Sequence, residues 1–453
     1  MTFFNHNKGL VFVLLFSFYV SPHSLPVDTP DEPQARGKHI DEPEAIITQL
    51  KHIFKLSGYV NYKAFYDTRQ FVGISDGQTL FFPKRKECSL TGDINSKGQG
   101  TMLPIETRLR GTMSAPDIAK NVYATGVIEV EFRGTFDAVN LVNMRHAYGQ
   151  IDWDTGTFIF GQTWHPLNVV ELIPNTVSFN RGRPFAVYNR SPMVNYTYHA
   201  PSLDVIFAAT SQVDYKSDGP IGLSTTYIRD AIVPNLHFQL KNFFGEHVAG
   251  AGIDYQRIAP RLVSPQGYSV HEYLSSLCGV GYLKLSWPKI DIRNTLLFGG
   301  NISNYGIIGG YAVQRGTTNP VTGERKYTTT RTLTGWTDVT YMPRETFETG
   351  FFIGGEKNFG SRKPIEHDII DPDGIVVERR IYGLGNDLDT VFRISGRMRF
   401  NVRQITFALE VEYTRAAFGD NRITPDGLNN YGRAINPIPV ANTQILFSTF
   451  LFF

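Results

Sequence analysis

The chain has 453 residues and a formal net charge of +2; 42% of residues are hydrophobic, 13% aromatic and 19% charged. Its 33 phenylalanines and 22 tyrosines exclude a disordered chain, and 44 basic against 42 acidic residues exclude a bulk nucleic-acid binder. The one long apolar run, Leu10 to Val20, is too short to cross a bilayer as a helix, which excludes a helical membrane bundle.

That run follows Lys8 and precedes Ser21, Pro22 and Ser24, the layout of a cleaved secretory signal over residues 1–24. A polar, Pro-rich, acidic stretch then runs from Pro26 to Glu44. Residues 25–56 read as a periplasmic linker, with Ala45–Leu56 patterned as one short amphipathic helix. Cys88 and Cys278 belong to no Cys/His motif, and their spacing leaves open whether they pair.

From Ser57 onward the period is two. Phe392, Ile394, Met398, Phe400 and Val402 alternate with Arg393, Arg397, Arg399 and Arg403; Ile405, Phe407, Leu409, Val411 and Tyr413 alternate with Thr406, Glu410, Glu412 and Thr414. The segments have about ten residues, the length of a tilted membrane strand. Connections alternate between short (Ser114–Lys120, 154–156, 200–202, 244–246, 287–289, 341–345, 401–404) and long (67–103, 164–190, 213–234, 257–275, 355–388, 415–443). That asymmetry fits short periplasmic turns and long outer loops. Seventeen candidate strands start near residues 57, 104, 121, 143, 157, 191, 203, 235, 247, 276, 290, 306, 331, 345, 389, 404 and 444. The short turns at 287–289 and 341–345 must lie on one side, so residues 306–315 belong to an outer loop or a strand extension. The reading is an all-β, closed antiparallel barrel over residues 57–453 with sixteen strands, eighteen being the next even count.

The chain stops at a strand with Ile445, Phe447, Leu451 and Phe453 on one face, interrupted by Thr449. This terminal pattern resembles the assembly signal of Gram-negative outer-membrane proteins; Phe453, Leu451 and Phe447 would carry it to the barrel assembly machinery. The stretch Asn143-Met-Arg-His-Ala-Tyr-Gly-Gln-Ile-Asp-Trp-Asp-Thr-Gly-Thr-Phe-Ile-Phe-Gly-Gln-Thr-Trp164 resembles the porins of the sixteen-strand superfamily: an Arg-x-Ala-Tyr strand, a tight turn, and a strand ending in Gly-Gln. Within them, Gly161-Gln-Thr-Trp164 looks most like the DcaP-like group. The resemblance implies a homotrimer in the outer-membrane lipid, with a loop at 163–190 folded into a pore for small hydrophilic solutes.

Strict alternation from Met144 places His146, Tyr148 and Gln150 inside and Arg145 outside. The resemblance places Arg145 at the constriction, and about 2–4 kcal/mol for an arginine facing lipid at mid-bilayer favours the inward placement. Arg108 and Arg110 share a face opposite Ile105, Thr107 and Leu109, and the pore loop brings Arg181, Arg183, Arg190 and Glu171. A ladder of lumen charges is expected from Glu129, Glu131, Arg133, Arg393, Arg397, Arg399, Glu410 and Glu412, whose cross-strand ion pairs would neutralise part of the field. Basic residues exceed acidic ones over these positions, so the expected preference is for anions. Asp371, Asp373, Asp387 and Asp389 read as a solvated acidic loop rather than a cation site. The eleven histidines show no metal spacing, and neither a nucleophile motif nor a phosphate-cradling loop occurs, so the chain reads as a channel without catalytic residues, metal or cofactor. The alternatives are a plugged structural or adhesive barrel that binds a partner through its outer loops, and a barrel enzyme.

Overall fold

The structure, a computed structural model, describes residues 54–132, 141–371 and 376–453. The expected signal segment, most of the linker, Arg133 and Asp373 lie outside the described residues. Sixteen strands close an antiparallel barrel: β1 (Phe54–Asp67), β2 (Arg108–Ala119), β3 (Val122–Glu131), β4 (Asn143–Trp153), β5 (Gly156–Trp164), β6 (Arg190–His199), β7 (Leu203–Thr210), β8 (Asn235–Phe244), β9 (His247–Ile258), β10 (Leu274–Trp287), β11 (Ile290–Gly300), β12 (Tyr327–Arg344), β13 (Phe347–Ser361), β14 (Leu388–Val402), β15 (Ile405–Phe418) and β16 (Ile438–Phe452). Each pairs with the next, and β16 returns to β1 with Tyr59 opposite Phe452 and Asp67 opposite Gln444. Phe54, Lys55 and Leu56, expected at the end of a short helix, instead open β1.

The outward face shows what the barrel is built to meet. On β15, Phe407, Leu409, Val411 and Tyr413 are 38–45% exposed, while Thr406, Glu410, Glu412 and Thr414 are buried inside. A water-soluble sheet would have the opposite arrangement. An apolar outside around a polar inside is the pattern of a barrel in lipid, where closure satisfies every backbone group. Exposed aromatic residues stand at the short-turn ends: Tyr198, Phe244, Trp287, Tyr341 and Phe400, matching an interfacial girdle.

The first short turn differs from expectation. Ser114–Ala119 stays in strand, and the chain reverses at Lys120-Asn121, where Asn121 takes φ +58, a conformation that Asn tolerates better than most residues. Ile105 is not on a strand face either; it is buried with Phe65, Leu103, Val177 and Leu446 where the short strand Gln99–Leu103 hands over to β2. Residues 309–313 form a short strand paired with Tyr327–Thr329 and with Ile381–Leu384. They extend an outer loop, as the parity of turns requires. Cys88 is exposed and Cys278 buried, and they do not pair.

The C-terminus closes the barrel seam. Phe453 N–H donates to the Gly58 carbonyl and Gly58 N–H to the Phe453 carbonyl, both at 3.0 Å. Phe447, Leu451 and Phe453 face outward, while Phe450 and Phe452 point inward onto Tyr59 with ring centroids 5.6 Å apart. Removal of Phe453 is therefore expected to lower the yield of heat-resistant oligomer on an unheated gel. Wild-type levels in the deletion variant would contradict this role.

An outer-loop contact carries a pH dependence. His367 Nδ1 lies 2.6 Å from Asp426, tying the β13–β14 loop to the β15–β16 loop. The hydrogen bond to Asp426 raises the His367 pKa above its ordinary value, against a smaller opposing effect of burial. A group with a raised folded-state pKa stabilises fully below its unfolded pKa, about 6.5, and loses that contribution as pH rises through the raised value. Amide exchange in residues 361–371 should thus quicken as pH is raised through that range, beyond the intrinsic pH effect. His367→Gln should abolish the excess.

Candidate constriction site

The pore loop leaves β5 after Trp164, crosses the lumen and re-enters the wall at Arg190. Opposite it, the β3–β4 pairing contains a β-bulge: Glu129 faces His146, Val130 faces Met144, and Arg145 is the extra residue. Both Arg145 and His146 consequently turn inward and are buried, while Met144 faces outward. Strict alternation cannot give this arrangement, because one inserted residue shifts the side-chain parity of everything beyond it. His146, Tyr148 and Gln150 keep the inward parity, and Arg145 joins them.

Arg145 is the centre of the site. Its Nε donates to Glu129 at 2.6 Å, and its Nη1 to Glu131 at 2.6 Å and to the Tyr188 hydroxyl at 3.1 Å. Its guanidinium lies 5.4 Å from the Trp164 ring centroid. From β2, Arg108 approaches Glu129 at 3.3 Å and Glu131 at 3.5 Å, and Arg110 reaches Glu129 at 3.1 Å. Arg190 pairs with Asp214 and donates to Tyr188 at 3.3 Å. Arg183 lies over the Tyr188 ring at 4.0 Å. Among the described residues, six arginines, counting Arg181, thus gather around three carboxylates and one tyrosine. Arg110, with 18% of its side chain exposed, is the most open of the ion-paired arginines here.

The excess of positive charge is visible in two groups of the pore loop. Burial raises the Tyr188 pKa, but Arg145 and Arg190 outweigh it and pull the hydroxyl well below its ordinary value. Burial lowers Arg181, and the neighbouring Arg183 and Arg190 lower it further, to about 10. A phenol drawn toward its anion marks a place where an anion is favoured.

Two of the β14 arginines, Arg393 and Arg399, hold the pore loop, and the third, Arg397, is held within the wall. Arg393 pairs with Glu412 at 3.0 Å and donates to the carbonyls of Leu80 and Arg183. Arg399 donates to Glu348 at 2.7 Å and to the Asn175 and Thr176 carbonyls at 2.9 Å. Arg397 is taken by Asp338 at 2.8 Å. The expectation that Glu410 would pair across with this column does not hold: its carboxylate accepts from the Val177 and Ser178 amides at 2.6 and 2.7 Å and from Ser395. Glu171 stands apart from the arginine cluster, paired with Lys241 of β8 at 2.9 Å. Asp387 and Asp389 pair with Arg85 and Lys357. The sequence reading missed Tyr188, Asp214, Asp338 and Glu348. Only Asp338 and Glu348 left a signal, as acids on inward positions of β12 and β13, within two strands of the Arg column.

The wall also gathers His165, His237 and Asp254, which lie 72 and 17 residues apart in sequence yet have ligand atoms within 4.8 Å of one another. Histidine spacing along the chain could not reveal this group.

No family model matches the chain, and no curated protein sequence matches it. Solved structures do. The outer membrane channel DcaP of Acinetobacter baumannii superposes with a TM-score of 0.62 at 14% identity, covering 88% of this chain and 97% of that one. The chain has the fold of the outer-membrane porins. An anion-selective porin from Comamonas acidovorans has the same fold (TM-score 0.52, 8% identity, 88% and 99% covered). So does the trimer form of OmpT of Vibrio cholerae (TM-score 0.51, 10% identity, 88% and 99% covered). The closed sixteen-strand topology is therefore the porin fold, shared at only 8–14% sequence identity.

Proposed function

We propose that the chain is an outer-membrane porin, a diffusion channel for small hydrophilic solutes with a preference for anions. The observation that carries this reading is the arginine cluster at the pore loop, where, among the described residues, six guanidiniums face three carboxylates inside a closed barrel. In a narrow passage with low-dielectric walls such an excess raises the local concentration of anions. The anion-selective porin from Comamonas acidovorans and the outer membrane channel DcaP share this fold, which supports the reading. A homotrimer is proposed from the trimer form of the Vibrio protein. Export by a cleaved signal over residues 1–24, followed by assembly through the C-terminal strand, completes the proposed path to the outer membrane.

A second reading is favoured by one feature. Arg145, Arg183 and Arg190 are at most 1% exposed, and Phe81, Phe82, Leu167, Phe185 and Leu388 form an apolar cluster within the barrel. A barrel packed this way across its whole section is a plug. Proteoliposomes separate the two: influx of a small anion such as chloride or acetate faster than into empty vesicles supports the channel, and equal rates support the plugged barrel.

A further inference from the structure

We propose that His165, His237 and Asp254 form a binding site for a divalent transition-metal ion of the zinc class at the root of the pore loop. His165 is the first residue of that loop, His237 lies on β8 and Asp254 opposite it on β9, and all three are buried. His165 Nε2 is 3.5 Å and His237 Nδ1 3.3 Å from the same Asp254 oxygen. Two ligands held at about 2.0–2.1 Å on a tetrahedral ion are separated by about 3.3 Å.

The proton inventory points to a cation. The Gln239 amide nitrogen donates to the Tyr282 hydroxyl at 2.6 Å, so its carbonyl oxygen is what faces His237 Nε2 at 2.9 Å. That nitrogen must then carry the ring proton. In the neutral ring, His237 Nδ1 directs a lone pair at a carboxylate oxygen, an arrangement that needs a positive charge between them. A proton between His237 and Asp254 would supply one, but His165 Nε2, which carries its ring proton and stands 3.5 Å from the same oxygen, would still lack a hydrogen bond. A metal ion answers both nitrogens. Tyr305 donates to the other Asp254 oxygen at 2.6 Å, so Gln239 and Tyr305 orient the ligands from behind, as partners of metal-bound His and Asp commonly do. Two imidazoles and one carboxylate suit zinc, cobalt or nickel rather than calcium or magnesium, which prefer oxygen ligands.

Loading the site would couple to the pore loop. Coordination through Nε2 moves the His165 proton to Nδ1, which now accepts from the Leu167 amide at 3.2 Å, so that bond must open. The adjacent Trp164 packs on Arg145 and Arg190, 5.4 and 5.3 Å from its ring centroid. Metal at His165 would thereby fix the loop beside the constriction.

The test uses the full-length protein, stripped with EDTA and titrated with Co(II). One Co(II) per chain is expected, with the intense visible absorption of a tetrahedral site. The double variant H165Q/H237Q should lose this band while still forming the heat-resistant oligomer. Tyr305→Phe, which removes no ligand, should weaken Co(II) binding about 10-fold. Wild-type uptake no greater than that of H165Q/H237Q would overturn the assignment. Should the double variant fail to assemble, an unchanged affinity in Tyr305→Phe would overturn it instead.

Discussion

Arg145→Ala should destabilise the assembled barrel by about 3–5 kcal/mol, the cost of removing one partner from a buried ion pair. The loss is large because two carboxylates depend on this guanidinium: Glu129 and Glu131 each accept a 2.6 Å bond from it and are nearly inaccessible to water. Arg108, at 3.3 and 3.5 Å, is too distant to replace either bond fully. Arg145→Glu should be worse still, since it would place three carboxylates together. The sequence alone suggests that such a charge reversal alters selectivity and leaves stability little changed. The burial of Arg145 reverses that expectation. Thermal dissociation of the purified oligomer is the measurement, and a midpoint shift of only a degree or two in Arg145→Ala would show that the network is not structural.

Selectivity should instead respond most cleanly at Arg110. Its side chain is the most open of the cluster's ion-paired arginines, and Glu129 retains Arg145 and Arg108 when Arg110 is gone. Arg110→Gln removes one unit charge from the wall of the passage. A charge about 4 Å from a permeating ion is worth about 1 kcal/mol in water. The distance is within the Debye length of about 8–10 Å, so salt does not erase the effect. The anion permeability should therefore fall by about fivefold and the anion-to-cation permeability ratio by more, because the cation gains what the anion loses, with the thermal midpoint unchanged. A ratio equal to wild type would place the conducting path away from Arg110.

Much of the barrel was legible because lipid imposes a strict alternation and closure imposes an even count. Fifteen of the sixteen expected strand starts fall within four residues of those in the structure, and the last strand begins earlier, at Ile438 rather than near 444. The extra length lies at the end remote from Phe453, where outer-loop residues continue the pairing with β15 without the apolar alternation that marks lipid. The site was legible in its residue types but not in its pairings. Arg145 had to face inward on energetic grounds, yet the bulge that turns it there leaves no local mark in the sequence. Arg399 takes Glu348 from the neighbouring β13, and Arg397 reaches past β13 to Asp338 on β12, rather than either pairing with β15, since alternation fixes the face of a side chain but not which inward partner it meets. The His165–His237–Asp254 group was invisible, because a loop residue and two wall strands meet only once the barrel has closed.

A barrel that conducts, with arginines that set the sign of its selectivity, has a direct electrical signature. Zero-current potential across a planar bilayer holding the wild-type protein between unequal KCl solutions tests both at once. Discrete conductance steps are expected, with a potential whose sign reports chloride as the more permeant ion. A cation-selective potential would contradict the charge assignment, and a protein that inserts without conducting would contradict the channel itself.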